Sequence, residues 1–153
     1  MARLGDFFPE DDKFDHLTAQ LTPGRVVRLF CNFTNPPKDK FVALLCPGMD
    51  FLVFVINSRI HPFISARPKL LACQVRLKAA DYSFLKHDSY LDCSQVIALA
   101  DVQVREQLSN DMSRIGDRLT TVTREQIICA VQNAPTISPK HKHMIETALS
   151  SID

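Results

Sequence analysis

The chain has 153 residues, of which 46% are hydrophobic and 23% are charged, and this composition excludes a disordered or fibrous protein. Its length fits one domain with a buried core. The 18 Lys and Arg residues are balanced by 17 Asp and Glu residues, so net charge does not indicate a nucleic-acid partner, and any anion site must come from local clustering.

Residues 1–22 form an acidic segment that is predicted to contain a short helix, because Phe14, Leu17 and Leu21 recur at helical spacing. The segment lacks the basic start and apolar stretch of a signal peptide. No apolar run approaches the ~20 residues that a membrane span needs. The five cysteines form no CxxC pair, and their odd number is typical of reduced thiols. We therefore expect a cytoplasmic protein that has no membrane partner.

Apolar patterns after the Thr-Pro-Gly turn at 22–24 predict an antiparallel sheet. Apolar and polar residues alternate over 27–33, which is typical of a half-buried strand. A polar loop stiffened by two prolines is predicted over 35–40. The continuous apolar runs 41–46 and 51–56 flank a Pro-Gly turn, and this arrangement predicts a central hairpin.

The middle of the chain is predicted to contain a second loop and two more strands. The loop covers 57–69, where Pro62 and Pro68 are expected to hold the backbone extended. Alternation over 71–77 predicts a two-faced strand, and segment 88–97 is predicted to carry another.

After Asp101 the apolar period becomes helical. Val104, Leu108 and Met112 predict a short helix, and 116–119 is predicted to return briefly to the sheet. These elements precede two further helices at the C-terminal end of the chain.

The two C-terminal helices carry sequence signals at their starts. Thr123 opens a Thr-Arg-Glu-Gln capping box, and Ser138 precedes a proline at the first helical position. The predicted buried faces are Ile127, Ile128 and Val131 on the first helix, and Met144, Ile145, Ala148, Leu149 and Ile152 on the second.

Several strands followed by helices indicate an α+β fold and not a parallel βαβ sheet. We predict one domain over 1–153, built on a small twisted antiparallel sheet or barrel over 23–119. The acidic helical segment 1–22 precedes this sheet, and the two C-terminal helices over 123–152 follow it.

Motifs for cofactor or metal chemistry are absent from the sequence. The four glycines form neither GxGxxG nor a Walker loop. His141 and His143 are two residues apart on a predicted helix and point to different faces, so they cannot share one metal ion. Cys93 and His87 lack a third group to orient them, which favours a buried reduced thiol over a nucleophile. We predict no metal and no cofactor.

Polar and cationic residues gather in the two predicted loops. Two basic loops over one sheet face can hold the phosphates of an RNA backbone, and the alternative is that both are ordinary solvated loops. In segment 88–93, Asp88 or Ser89 either caps a turn or has a functional role. The first loop contains Lys38, Asp39 and Lys40, and the second contains Asn57, Ser58, Arg59, His61, Arg67 and Lys69.

Five motifs follow one another in an informative order. Pro-Gly-Arg-Val-Val at 23–27 opens a strand, Phe-Val-Ala-Leu-Leu at 41–45 follows a Lys-containing loop, and Phe-Val-Ile-Asn-Ser at 54–58 ends a third segment. Asp-Cys-Ser-Gln-Val at 92–96 and Ile-Gly-Asp-Arg-Leu at 115–119 complete the series. This order resembles that of the PemK/MazF-like toxin family.

The resemblance implies a compact barrel similar to SH3 domains that forms a homodimer and carries terminal helices. It also implies a metal-independent endoribonuclease toxin that cleaves single-stranded RNA and that a protein antitoxin blocks. In such chemistry the 2′-hydroxyl of the RNA attacks the adjacent phosphorus. The protein must therefore neutralise the phosphorane charge and manage two proton transfers.

The resemblance also suggests roles for individual residues. Ser58 falls on the catalytic Thr or Ser of the family, whereas the catalytic loop arginine is not matched, since this loop offers Lys38 and Lys40. A lysine supplies charge without the bidentate fork of arginine, and either Arg59 or His61 is expected to compensate, His61 by acid–base work. The predicted catalytic set is Lys38, Ser58, Arg59 and His61, and the predicted RNA-binding set is Lys40, Asn57, Arg67 and Lys69.

Two other hypotheses remain. The missing arginine favours a non-catalytic binding module of the same fold, acting in a toxin–antitoxin, defence or regulatory system. The last helix extends beyond the common family pattern, so the chain could also be a structural subunit recruited through its C-terminal helices. The latter hypothesis predicts a large exposed apolar stripe on those helices.

Overall fold

The structure is a computed structural model that describes residues 10–150. An antiparallel sheet lies at its centre and helices cover both faces, so the predicted α+β class is confirmed. The strands are β1 (Arg25–Cys31), β2 (Lys38–Cys46), β3 (Asp50–Asn57), β4 (Gln74–Leu77), β5 (Ser89–Asp92), β6 (Ile97–Ala100) and β7 (Ile115–Arg118). The helices are α1 (Glu10–Gln20), α2 (Pro62–Ser65), α3 (Pro68–Leu71), α4 (Asp101–Asn110), α5 (Thr121–Asn133) and α6 (Pro139–Ser150).

The strands follow the order β4-β5-β3-β2-β1-β7, and β6 also pairs with β3. One edge of β3 pairs with β2. The other edge is shared, because β6 pairs with residues 50–53 and β5 pairs with residues 56–57. The sheet consequently curls into a half-barrel around β3 instead of lying flat.

The predicted turn and central hairpin are both confirmed. Gly24 takes a φ of 87° before β1, a left-handed conformation that glycine adopts without steric cost. β2 and β3 pair around the Pro-Gly turn from Val42↔Val55 to Cys46↔Leu52. Their apolar runs are continuous because both faces of the sheet are covered.

Two apolar layers form, one on each face of the sheet. Phe54 belongs to the layer that packs against α5 and α6, and its neighbour Val53 belongs to the layer beneath α1 and α4. Leu17 of α1 and Leu108 of α4 are both buried in this second layer, as their helical spacing predicted. Phe14, the third residue of that spacing, is exposed, and its ring lies beneath the guanidinium of Arg105.

The prediction of a polar loop over 35–40 is wrong in its second half, because β2 begins at Lys38. Lys38 pairs with Cys31 and Lys40 pairs with Leu29 across the hairpin. The backbone of these charged residues is therefore fixed by the ladder while their side chains stay at its exposed end. The predicted strand over 27–33 ends earlier, at Cys31, and Phe33 lies in the turn.

The prediction of an extended loop over 57–69 is also wrong. His61 and Arg67, which precede the prolines, are extended with ψ of 142° and 99°, as expected before proline. The prolines themselves begin the one-turn helices α2 and α3, because a fixed φ suits the first helical position. The next strand consequently starts at Gln74 and not at residue 71.

The strand predicted within 88–97 is confirmed as β5, and β6 begins at the end of the same segment. Two smaller predictions need correction. Met112 lies in a 3₁₀ turn (Met112–Arg114) after α4. The α5 N-cap is Thr120, whose hydroxyl accepts from the Thr123 N–H at 3.2 Å. Thr123 cannot serve as the cap, because its side chain is buried and bonded to the Tyr82 hydroxyl at 2.7 Å.

The start of α6 is confirmed, since the Ser138 hydroxyl accepts from the His141 N–H at 3.2 Å. Ile145 and Leu149 are buried against the sheet, so the large exposed apolar stripe expected of a recruited subunit is wrong for the described residues of these helices. Met144, which was predicted to be buried, is 37% exposed, so that part of the predicted buried face is wrong. Ile152, like residues 1–9, lies outside the described residues. No helix within 10–150 is long and apolar enough to cross a membrane.

The side-chain amide of Gln107 closes part of the outer edge of β1. β7 pairs with β1 near Arg25 and Val27, and within residues 10–150 the backbone of Phe30 has no strand partner on that side. The Phe30 N–H donates to Gln107 Oε1 at 2.7 Å, and Gln107 Nε2 donates to the Phe30 carbonyl at 3.3 Å. One side chain from α4 thus satisfies both backbone groups.

Candidate nucleic-acid interface

One hydrogen bond joins the two segments that were predicted to form the site. Lys40 Nζ, on β2, donates to Asn57 Oδ1, at the end of β3, at 2.5 Å. Lys38 and Lys40 lie on the same face of β2 as Val42, because side chains alternate along a strand. The structure therefore brings one predicted residue of each segment into direct contact at the open end of the hairpin.

The charged amine of Lys40 lies in a partly buried position. Burial lowers the pKa of Lys40, the positive charge of Lys38 lowers it further, and Cys31 opposes the change. A half-buried cation beside a second cation has a surplus of positive potential. An anion at this end of β2 would gain from both charges.

Ser58 and Arg59 come directly after Asn57, where the chain leaves the sheet. Both side chains are exposed. A hydroxyl and a guanidinium are thus available next in sequence to the residue that holds Lys40.

The remaining three predicted residues make local contacts. His61 Nδ1 accepts from the Phe63 N–H at 3.0 Å and caps α2. The Arg67 guanidinium lies 3.5 Å from the centre of the Phe63 ring and donates to the Phe63 carbonyl at 2.7 Å. The Lys69 carbonyl accepts from the Cys73 thiol. These contacts stabilise the α2–α3 segment and do not join it to Lys40.

The alternative nucleophile and the segment around Asp88 have structural explanations. Cys93 is fully buried, and burial raises the pKa of its thiol well above the ordinary value, whereas His87 is exposed. Asp88 forms an ion pair with Arg76 and accepts from the Ala79 N–H at 2.9 Å. That backbone hydrogen bond, with the Arg76 contact, lowers the pKa of Asp88, and the contacts tie together the connection between β4 and β5.

The histidines near the start of α6 do not belong to a metal-binding cluster. Within residues 10–150, no group of three or more His, Cys, Asp or Glu side chains is placed to hold a metal ion. The Ser138 hydroxyl instead caps the backbone at His141.

Thiol reactivity is expected to separate one cysteine from the other four. Cys31, Cys46, Cys73 and Cys93 are buried, and Cys129 on α5 is exposed. Burial raises the pKa of Cys46 to about 11 and also raises that of the other three buried thiols, which suppresses the reactive thiolate. Iodoacetamide at pH 8 should modify one thiol in the folded protein and all five in urea, as read by intact mass.

The control for this prediction is Cys129→Ser, which should abolish modification of the folded protein. A second thiol that reacts as rapidly as Cys129 would contradict the buried placement of these strand and core cysteines.

A second cationic surface was not predicted from the sequence. Arg25, Arg28 and Arg114 line a cleft of about 500 Å³ together with Phe41 and Phe84. Arg28 and Arg114 are 86 residues apart and meet because β7 pairs with β1. No local spacing could have indicated this cleft.

Comparison with known proteins adds no family assignment. No protein-family model matches the chain. No curated protein matches it either. The resemblance to PemK/MazF-like toxins accordingly stands on the motif order described above.

Proposed function

We propose that this chain is a metal-independent endoribonuclease of the PemK/MazF-like type, acting on single-stranded RNA. The observation that carries the proposal is the hydrogen bond from Lys40 to Asn57, which couples the cationic end of β2 to the end of β3 just before Ser58. The curled antiparallel sheet and its C-terminal helices support an SH3-like barrel as the finer description of the fold.

The arrangement suits a reaction in which the RNA supplies its own nucleophile. The 2′-oxygen forms a bond to phosphorus while the bond to the 5′-oxygen breaks, leaving a 2′,3′-cyclic phosphate and a 5′-hydroxyl. Lys40 and Lys38 neutralise the charge that builds on the phosphorane oxygens, and Asn57 fixes the position of Lys40 Nζ. Ser58 donates a hydrogen bond to the phosphate.

Two protons must move in this reaction, one from the 2′-hydroxyl and one to the leaving 5′-oxygen. While His61 Nδ1 accepts the cap hydrogen bond, the neutral ring carries its proton on Nε2. Nε2 takes the 2′-hydroxyl proton only after His61 releases the Phe63 N–H and holds its ring proton on Nδ1. The imidazolium so formed then gives a proton to the leaving 5′-oxygen. Arg59 is the exposed cation that supports this step electrostatically. The proposal also includes a homodimer and a protein antitoxin that covers the basic surface.

One observation favours a second candidate, a non-catalytic RNA-binding module. The hydrogen bond that His61 accepts comes from Phe63 and not from Lys40 or Asn57, and Arg67 is stacked on Phe63. Such an arrangement retains the phosphate-binding charge of Lys38 and Lys40 without an acid–base group in contact with it.

The test is incubation of the purified protein with end-labelled single-stranded RNA in EDTA. Discrete cuts that leave 2′,3′-cyclic phosphate ends are expected from the wild type and should be lost in Ser58→Ala and strongly reduced in Lys38→Ala. Lys140→Ala, an exposed lysine on α6, is the control for loss of one positive charge. Binding of RNA without cleavage by folded wild type would contradict the ribonuclease and establish the binding module.

A further inference from the structure

The arginine cleft lies on the opposite face of the β1–β2 hairpin from Lys40. Phe41 and Lys40 are adjacent on β2 and therefore point to opposite faces of the sheet. Phe41 pairs with Arg28 across the hairpin, so both side chains lie on the cleft side. The cleft is consequently distinct from the Lys40–Asn57 site.

Two aromatic rings line the cleft, and one of them contacts a buried tyrosine. The ring centres of Phe41 and Phe84 are 4.9 Å apart with the planes tilted by 46°, and those of Phe84 and Tyr82 are 5.6 Å apart with a tilt of 47°. Tyr82 is buried, and its hydroxyl accepts from the Thr120 N–H at 3.1 Å, at the start of α5. Phe41 and Phe84, which line the cleft, are only half-buried and offer π faces for stacking.

The cationic wall combines three guanidinium groups. Arg114 donates from Nη1 to the Arg28 carbonyl and to Asp39 Oδ1, each at 3.2 Å, and its Nε lies 3.9 Å from Asp111. Arg28 Nε lies 3.9 Å from Asp39, which is too long for a hydrogen bond. In residues 10–150 this Nε has no hydrogen-bond partner and is shielded from solvent, so the exposed remainder of the Arg28 side chain, and not Nε, is what the cleft offers to a ligand.

Arg25 adds charge that no carboxylate within residues 10–150 contacts directly. Its guanidinium donates to the Gln20 carbonyl at 2.9 Å and to the Gly116 carbonyl at 3.1 Å. Burial and the nearby charge of Arg118 lower the pKa of Arg25, and Asp117 partly opposes them. The lining of the cleft contains three arginines and one aspartate, and Asp39 and Asp111 contact two of these arginines from outside the lining. A phosphate bound there would compete with Asp39 for Arg28 and Arg114, and Arg25 supplies further positive charge.

We infer that this cleft binds a nucleoside phosphate, with the base on the Phe41–Phe84 pair and the phosphate on Arg28 and Arg114. Guanidinium groups match the geometry of phosphate oxygens, and about 500 Å³ lies within the range of small-ligand sites. The ligand is either a free nucleotide or one unit of an RNA strand, which share this chemistry. The inference does not depend on RNA cleavage.

Asp117 distinguishes a nucleoside phosphate from a plain aromatic phosphate. Its carboxylate accepts from the Ser83 hydroxyl at 3.0 Å, and a carboxylate has room for further donors. Ribose hydroxyls and base amino groups supply such donors, whereas a phosphorylated phenol does not. The cleft thus offers aromatic rings to the base, the Asp117 carboxylate to sugar hydroxyls or base amino groups, and guanidinium groups to the phosphate.

The test is titration of the ¹⁵N-labelled protein with four probes: 5′-AMP, adenosine, inorganic phosphate and a five-nucleotide single-stranded RNA whose 2′-hydroxyls are methylated so that it cannot be cleaved. AMP or the RNA should shift the amide signals of Phe41, Phe84 and Arg114, with a Kd at least tenfold lower than that of adenosine or phosphate. Shifts with AMP identify a free nucleotide as sufficient. Shifts with RNA alone identify a unit within a strand.

Variants separate the two halves of the cleft. Arg28→Gln should weaken binding of the nucleotide probe at least tenfold, and Phe84→Leu should weaken it without changing the response to phosphate. Lys140→Gln is the charge-matched control, and urea midpoints report whether each variant is folded. Phosphate that binds as tightly as AMP and the RNA, or the absence of cleft shifts with both nucleotide probes, would overturn the inference.

Discussion

Replacing Lys40 by methionine is expected to lower the rate of RNA cleavage by about two to three orders of magnitude, the usual effect of removing one donor to a developing oxyanion. Methionine keeps the length and apolar stem of the side chain but removes the charge and the hydrogen bond to Asn57. Binding of uncleaved RNA should weaken far less, since Lys38 and Arg59 remain. Single-turnover cleavage and filter binding with the same RNA measure the two effects.

The pH dependence of the cleavage rate independently tests whether the charge of Lys40 is needed. Because burial and the charge of Lys38 lower its pKa from about 10.5, rising pH removes its positive charge earlier than for an exposed lysine. The wild-type rate should therefore fall on the alkaline side below pH 10.5. Lys40→Arg, whose guanidinium stays protonated, should retain cleavage and lose this decline. Equal rates for wild type and Lys40→Met would remove Lys40 from the mechanism.

Ile145→Ala is expected to destabilise the protein by about 2–5 kcal/mol. This is the usual range when a fully buried aliphatic side chain is truncated to alanine and a cavity remains in the core. Ile145 on α6 has no exposed surface and belongs to the apolar layer that contains Phe54 of the sheet. Since the free energy of unfolding of a small domain is about 5–15 kcal/mol, this one substitution should remove a large share of the stability. Urea unfolding followed by circular dichroism gives the shift in midpoint.

Met144→Ala is the matched control, because the neighbouring Met144 is 37% exposed. We expect it to cost no more than about 1 kcal/mol, as is typical of a substitution outside the core. An equal loss for both variants would mean that α6 does not dock through the face described here.

The elements that were predicted correctly carry their signal within a few neighbouring residues. The apolar runs of β2 and β3 are buried on both faces and flank one turn, and the Ser138-Pro139 start of α6 is decided by its cap. The capping box at Thr123 failed because a tertiary contact with Tyr82 uses the hydroxyl that the pattern assigned to the helix start. Local patterns do not contain that information.

The sequence indicated which residues to consider for the candidate site, but not the backbone conformation or the contacts of those residues. Lys38 and Lys40 are charged residues of the kind usually found in loops, yet their backbone pairs with β1 and they belong to a strand. Pro62 is compatible both with an extended segment and with the first turn of a helix. In the structure it begins α2, and His61 is the N-cap. The contact between Lys40 and Asn57 depends on the register of β2 against β3, which composition does not specify.

The Gln107 amide that satisfies both backbone groups of Phe30 has a consequence for assembly. Unpaired strand edges invite β-augmentation and edge-to-edge aggregation, and proteins protect themselves by covering them. Here the covering group is a side chain from α4, which withdraws that stretch of β1 from recruitment by another chain. A partner that extends the described sheet must therefore add its strand at β4, β6 or β7, away from the Phe30 edge.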